Sequence, residues 1–254
     1  MSGAVYVFGI VAADHPFQPP DPPGKPDPAP AGDDPAGERE RDAGVRLVRA
    51  GALAAVVGPA PPRPRARRRD LLAHQRVLER VWRMGPVLPM RFGVVAPDGG
   101  RLRAELVRGA RRHLDALAQV TGRAEVNVKV VPDEEVMVRL VAEQDPAVRQ
   151  LRGRATRSYP DRLRLGEAVA AALRARAALD ADRVLRALRP LAVRESAGPE
   201  VAGCALNVSL LVADDRLDAV LAEVARLDGD LDGRCRVHAF GPLPPYSFTV
   251  PAGG

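Results

Sequence analysis

The sequence predicts an α+β protein of two domains. Three observations point there. Short β-branched segments alternate irregularly with amphipathic helical stretches, and proline-rich joins separate them, where a doubly wound sheet would show a regular βα cadence. The last third of the chain reads as strand, helix, strand. The 254 residues are enough for two ordinary hydrophobic cores.

The elements follow in order. Ala4 to Val11 is β-branched and aromatic, hence a strand. Nine prolines then fall between Pro16 and Pro35. Ordering backbone costs about 1–2 kcal/mol per residue, and few apolar side chains here offset it, so 14–43 is expected to be a disordered insertion. Ala52 to Val57 is a second strand. Asp70 is expected to cap a helix carrying Leu71, His74, Leu78, Val81 and Trp82 on one face. Pro86 to Val95 reads as extended, with Leu88, Met90, Phe92 and Val94 on one pleat face and Arg91 on the other. Leu102, Leu106, Ala110, Leu114 and Leu117 mark one amphipathic helix, ended near Thr121-Gly122.

Glu125 to Val131 is a strand, and Asp133-Glu134-Glu135 suits the first turn of the next helix. Asp145-Pro146 places a cap and a proline in their favoured order for another. A long Ala-rich helix is expected from Pro160 to about Leu188, with Leu163, Ala170, Leu173, Ala177, Val184 and Leu188 on its inner side. Gly203 to Val212 alternates as a strand. Asp214 or Asp215 would cap a helix with the stripe Leu217, Val220, Leu221, Val224, Leu227, and Arg234 to Phe240 returns as a strand.

Composition narrows the function classes. Hydrophobic residues make up 46% and aromatics only 4%, so the cores must be built from Ala, Val and Leu. The net charge of +6 rests almost wholly on arginine; Lys25 and Lys129 are the only lysines, alongside 32 acidic residues. That balance permits weak attraction to anionic partners. No run of 18 apolar residues suggests a membrane span, and no basic leader precedes the first strand, so a cytoplasmic protein is expected. His15, His74, His113 and His238 are scattered. No metal-ligand spacing, phosphate loop, dinucleotide fingerprint or nucleophile elbow is present, so neither cofactor, metal nor catalysis is expected.

Three segments carry a family resemblance. Pro86-Val-Leu-Pro-Met-Arg-Phe-Gly93 resembles a segment of the gas vesicle protein F/L family. Gly241-Pro-Leu-Pro-Pro-Tyr-Ser-Phe248 resembles its closing segment, and Tyr6-Val-Phe-Gly-Ile10 its first strand. The chain departs from the family pattern at Leu243, at Val126 and Asn127 within Glu125–Val130, and in the proline-rich insertion. The resemblance implies a modified ferredoxin-like sandwich over 1–122 and a C-terminal α+β domain over 123–254, which holds the long helix and the closing segment. It also implies a non-enzymatic accessory protein associated with gas vesicles. Its partners would be the small hydrophobic shell protein and other accessory proteins of the assembly, with no membrane, small-molecule substrate or nucleic acid.

Particular residues admit two readings. Arg91 would either be paired with a carboxylate or carbonyls at the sheet edge or dock the shell protein beside Phe92. Tyr246 and Phe248, stiffened by Pro242, Pro244 and Pro245, would form either a strap pinning the domains or an apolar docking patch. His74 and His113, on or beside apolar helix faces, are expected to be satisfied core-edge imidazoles. Cys204 and Cys235 would face each other on neighbouring strands as buried thiols. The run Arg63–Arg69 motivates a rival reading, a basic nucleic-acid-binding module, although the interior strands lack stacking aromatics. An enzyme on the same scaffold is the third and weakest reading.

Overall fold

The computed structural model describes residues 3–19, 44–60, 67–153 and 158–249. The mixed α/β architecture expected from the sequence is present, with two sheets and a long helix. The chain divides into two units. The first comprises the residues up to Arg123 together with those from Leu243 on; the second runs from Ala124 to Pro242. The closing segment from Leu243 on therefore clusters with the first unit, whereas a division at 122/123 assigns all of it to the second.

In the first unit, β1 (Val5–Ala12), β2 (Arg46–Ala50), β3 (Leu53–Pro59) and β4 (Leu88–Pro89) form a sheet of order β2-β3-β1-β4, and β5 (Val95–Ala96) also pairs with β1. The pairings of β1 with β3, β4 and β5 and of β2 with β3 are antiparallel. This is the strand order of ferredoxin-like sheets. Helix α1 (Arg68–Met84) buries His74, Val77, Leu78 and Val81. It begins with Arg67 at the N-cap and no side-chain cap; Asp70 instead sits in the first turn, 3.7 Å from Arg69. The expected single helix over 102–117 is two, α2 (Gly99–Arg108) and α3 (Ala110–Val120), broken at Gly109. The break turns Leu114 out to 38% exposure. The proline-rich insertion starts later than position 14, because His15 and Phe17 are buried and Phe17 joins the core with Val11, Ala54, Val56, Leu78 and Val81. From residue 20 to 43 it lies outside the described residues.

The Pro86–Val95 segment is not one continuous pleat. It pairs with β1 at Gly9↔Pro89 and again at Tyr6↔Val95. Between those pairings it takes six residue steps where β1 takes three. The surplus is thrown out as a turn through Phe92-Gly93, with Gly93 at φ 92°. Glycine meets that positive φ without strain.

The second unit holds a sheet of order β7-β8-β6-β9, from β6 (Arg123–Pro132), β7 (Arg194–Ala197), β8 (Leu206–Ala213) and β9 (Cys235–Leu243). Asp145 caps α5 (Pro146–Arg152) as expected, accepting from Val148 N–H at 2.9 Å, while Asp133, expected in the first turn of α4 (Glu134–Gln144), is its cap and accepts from Val136 N–H at 3.0 Å. Ser158 caps the 30-residue α6 (Tyr159–Leu188). A 3-10 turn, Asp214–Arg216, precedes α7 (Leu217–Asp230), so neither aspartate is its cap. The core joins Val126, Val128 and Val130 of β6 to Val208 and Leu210 of β8, Val184 and Leu188 of α6, and Val220, Val224 and Leu227 of α7. Each fully buried side chain here contributes about 1.5–3 kcal/mol, gross. Leu221 (37% exposed) and Leu163 (55%) leave the stripes assigned to them. Cys204 and Cys235 are not on neighbouring strands: Cys204 precedes β8, Cys235 opens β9, and β6 separates the two. No described helix is long and apolar enough to cross a membrane.

Candidate partner-binding surface

The resembling segments Tyr6–Ile10 and Pro86–Gly93 interlock physically. A Cβ at Gly9 would lie 2.8 Å from Val87 Cγ2 and 3.0 Å from the Leu88 carbonyl oxygen, so only glycine lets the second segment lie this close to β1. Met90 N–H donates to the Phe8 carbonyl at 2.8 Å, and Val7 N–H to the Val94 carbonyl at 2.9 Å.

Above this contact sits a closed polar network. Gly93 N–H donates to the Tyr6 hydroxyl oxygen at 3.0 Å. Tyr6 Oη and His74 Nδ1 are 2.9 Å apart, and His74 Nε2 is 3.1 Å from the Met90 carbonyl oxygen. A carbonyl can only accept, which assigns the proton to Nε2. Nδ1 is then the acceptor and Tyr6 O–H the donor. Burial pushes the His74 pKa below its usual value, against the opposing pull of the Met90 carbonyl. Burial also pushes the Tyr6 pKa up. Both groups are therefore held neutral. Tyr6, Phe8, His74 and Phe92 pack as an aromatic cluster with centroids 4.9–6.0 Å apart.

This network holds the turn that presents Arg91 and Phe92. Arg91 is exposed and makes no side-chain hydrogen bond or ion pair with a described residue. The partner expected for it is unnecessary, because the turn carries its guanidinium into water rather than leaving it in a strand. Phe92 is half-buried, its ring 5.8 Å from His74.

Tyr246 and Phe248 occupy a different environment. Phe248 is 4% exposed, and Tyr246 packs against the cluster of Val11, Phe17, Val56, Leu78 and Val87. They are core contacts of the first unit, and a side chain as covered as Phe248 offers no apolar surface without moving. The four candidate residues thus form no single exposed patch: Arg91 and Phe92 are presented, while Tyr246 and Phe248 pack inward. Composition and spacing singled out neither Tyr6 nor His74 as the hinge of the arrangement. The available signal was a histidine at a helix position facing an aromatic strand.

Other polar groups have structural roles. Asn127 Nδ2 donates to Asn207 Oδ1 at 2.9 Å and to the Val208 carbonyl at 3.2 Å, tying β6 to β8. Buried Asp180 on α6 lies 3.4 Å from the Arg234 guanidinium. Burial, reinforced by that carboxylate, pushes the Cys235 thiol up to about 11, so it stays protonated. His113 is not the satisfied imidazole expected, for its Nδ1 is buried without a partner among the described residues. Of the Arg63–Arg69 run, residues 63–66 lie outside the described residues. No group of three or more His, Cys, Asp or Glu able to hold a metal ion occurs among the described residues.

Comparison with known proteins identifies the lineage. The sequence profile described as "Gas vesicle synthesis protein GvpL/GvpF" matches residues 4–250. Gas vesicle protein F of a Streptomyces species is 37% identical over 97% of this chain and 99% of its own length. Gas vesicle protein L of the same strain is 31% identical, covering 80% of this chain and 82% of its own. Gas vesicle protein F of a Nostoc species is 27% identical, over 72% of this chain and 78% of its own. The crystal structure of GvpF from an Anabaena species superposes with a TM-score of 0.78 at 20% identity, covering 99% of this chain and all of that one. GvpF from Microcystis aeruginosa superposes with 0.69, also at 20% identity, covering 96% and 98%. At that identity the structures establish the shared fold alone, while the sequence matches along nearly the whole length establish descent. This chain belongs to the GvpL/GvpF family of gas vesicle synthesis proteins, and its role lies with gas vesicles.

Proposed function

We propose that this chain is a non-catalytic accessory protein of gas vesicle assembly. It works in the cytoplasm, associates with the growing vesicle, binds the hydrophobic shell protein and meets other accessory proteins there. The family match over residues 4–250 carries the reading. Arg91 and Phe92 support it locally, as an exposed guanidinium without a partner among the described residues and an aromatic edge on a turn braced from beneath by Tyr6 and His74. In this reading Tyr246 and Phe248 act from within, keeping that unit rigid. No cofactor is required.

The test is co-purification of the tagged chain with the shell subunit, paired with a deletion strain. Capture of the shell subunit and loss of vesicles on deletion are expected. A chain that captures no shell subunit, in cells whose vesicles form normally without it, sinks the proposal.

A further inference from the structure

Two helical surfaces, one in each unit, carry charge that the chain itself leaves unmatched. The first lies at the break between α2 and α3. Over Gly99–Val120 five arginines stand beside two carboxylates, a surplus of three that is half the chain's net +6. Arg108 pairs with Glu105. Arg111 and Arg112 are exposed, and neither pairs with a carboxylate among the described residues, although Asp115 lines the same 440 Å³ cleft. Both occupy the first turn of α3, where the helix dipole disfavours a cation. Their position costs the helix and gains the isolated chain no ion pair. Val107, one turn before Arg111, is 62% exposed.

The second surface opens α4. Glu134 and Glu135 are exposed in its first turn. The dipole favours them there, but neither makes an ion pair with a described residue, Arg139 one turn along included. Val138, one turn after Glu134, is 39% exposed. Each surface is thus a pair of adjacent like charges with an exposed valine one helical turn away, and the two pairs are opposite in sign.

We propose that these surfaces are the two halves of a contact between copies of this chain: Arg111 and Arg112 of one copy meet Glu134 and Glu135 of the next, with Val107 against Val138. Charge complementarity selects a second copy as the occupant, because the chain carries the matching surface itself. Asp214 and Asp215 match less well, since Arg216 stands between them and Asp218. The two surfaces differ, so the contact is heterologous and recurs from copy to copy through a ring or a filament. The net +6 repels copies at long range, so the contact forms by direct pairing. With few charge pairs and little apolar area it is weak, with a Kd of about 10–100 μM.

Sedimentation of the full chain tests this with no other partner present, so the outcome is independent of shell binding. Wild type is expected to gain mass with concentration up to about 100 μM and to lose it as salt rises from about 0.1 to about 1 M. Arg111→Ser with Arg112→Ser removes one surface, and Glu134→Gln with Glu135→Gln removes the other. All four side chains are exposed, so both variants keep the fold, which circular dichroism checks. Each variant alone is expected to self-associate at least about ten-fold more weakly. Mixed in equal amounts, the two are expected to form a heterodimer, because each retains the surface the other lacks. The inference is overturned if wild type stays monomeric or if either variant associates within about two-fold of wild type. It is equally overturned if the mixture stays monomeric where wild type associates.

Discussion

Replacing Tyr6 by Phe removes a single oxygen from the first unit and leaves the ring packing in place. The ring keeps its contacts with Phe8 at 4.9 Å and His74 at 5.6 Å. The oxygen serves two partners: it accepts from Gly93 N–H at 3.0 Å and donates to His74 Nδ1 at 2.9 Å. A buried polar atom left without its partner costs about 1–3 kcal/mol. His74 is only 7% exposed, so its Nδ1 bears that penalty in full. Gly93 lies on the half-exposed turn, where water recovers part of its bond. The expected loss is therefore about 2–3 kcal/mol. The assay is built into the chain, because Trp82 is its only tryptophan and packs against the core of this unit. Urea unfolding followed by Trp82 fluorescence should show a lower midpoint with unchanged slope. At about 1–3 kcal/mol per molar urea, the shift is about 0.7–3 M. A change below about 0.5 kcal/mol would refute the network as the brace of the Arg91 turn.

Further outcomes follow from the same unit and the same readout. Phe248→Ala should lower its stability by about 3–5 kcal/mol, because the side chain is 4% exposed; a near-neutral result would mean the closing segment does not hold this unit. Gly9→Ala should cost about 1–3 kcal/mol, since its methyl would meet Val87 and the Leu88 carbonyl. Arg91→Ala should change stability by less than about 0.5 kcal/mol, with any effect confined to partner capture. Acid should destabilise the unit. His15, His74 and His113 have folded pKa values lowered from 6.5, chiefly by burial. The unfolded chain therefore takes up protons first, so stability is intact above 6.5 and falls below it until the folded values are reached. The Trp82 midpoint should drop as the pH falls through about 6.5, and His74→Gln should flatten that slope; a midpoint that rises on acidification contradicts the assignment.

Much of the architecture was legible from residue order. Strands with β-branched alternation, such as Val5–Ala12 and Arg123–Pro132, and the cap at Asp145 depend on neighbours a few positions away, which the sequence displays directly. The family, too, was legible from short motifs. What failed were expectations about pairing across distance. The Pro86–Val95 segment alternates like a strand, yet its register against β1 ejects three residues. Cys204 and Cys235 share strand-like surroundings, but β6 lies between those strands.

The sequence by itself determined the α+β class, the cap at Asp145 and membership of the GvpL/GvpF family. These rest on local backbone preference and on motif identity, both written in residue order. Tertiary structure alone decided that Arg91 stands in water, that Phe248 is core, and that Tyr6 and His74 brace the presented turn. Each of those depends on which surfaces meet after the chain has closed on itself, and burial is a property of the assembled contacts rather than of any residue's place in the chain.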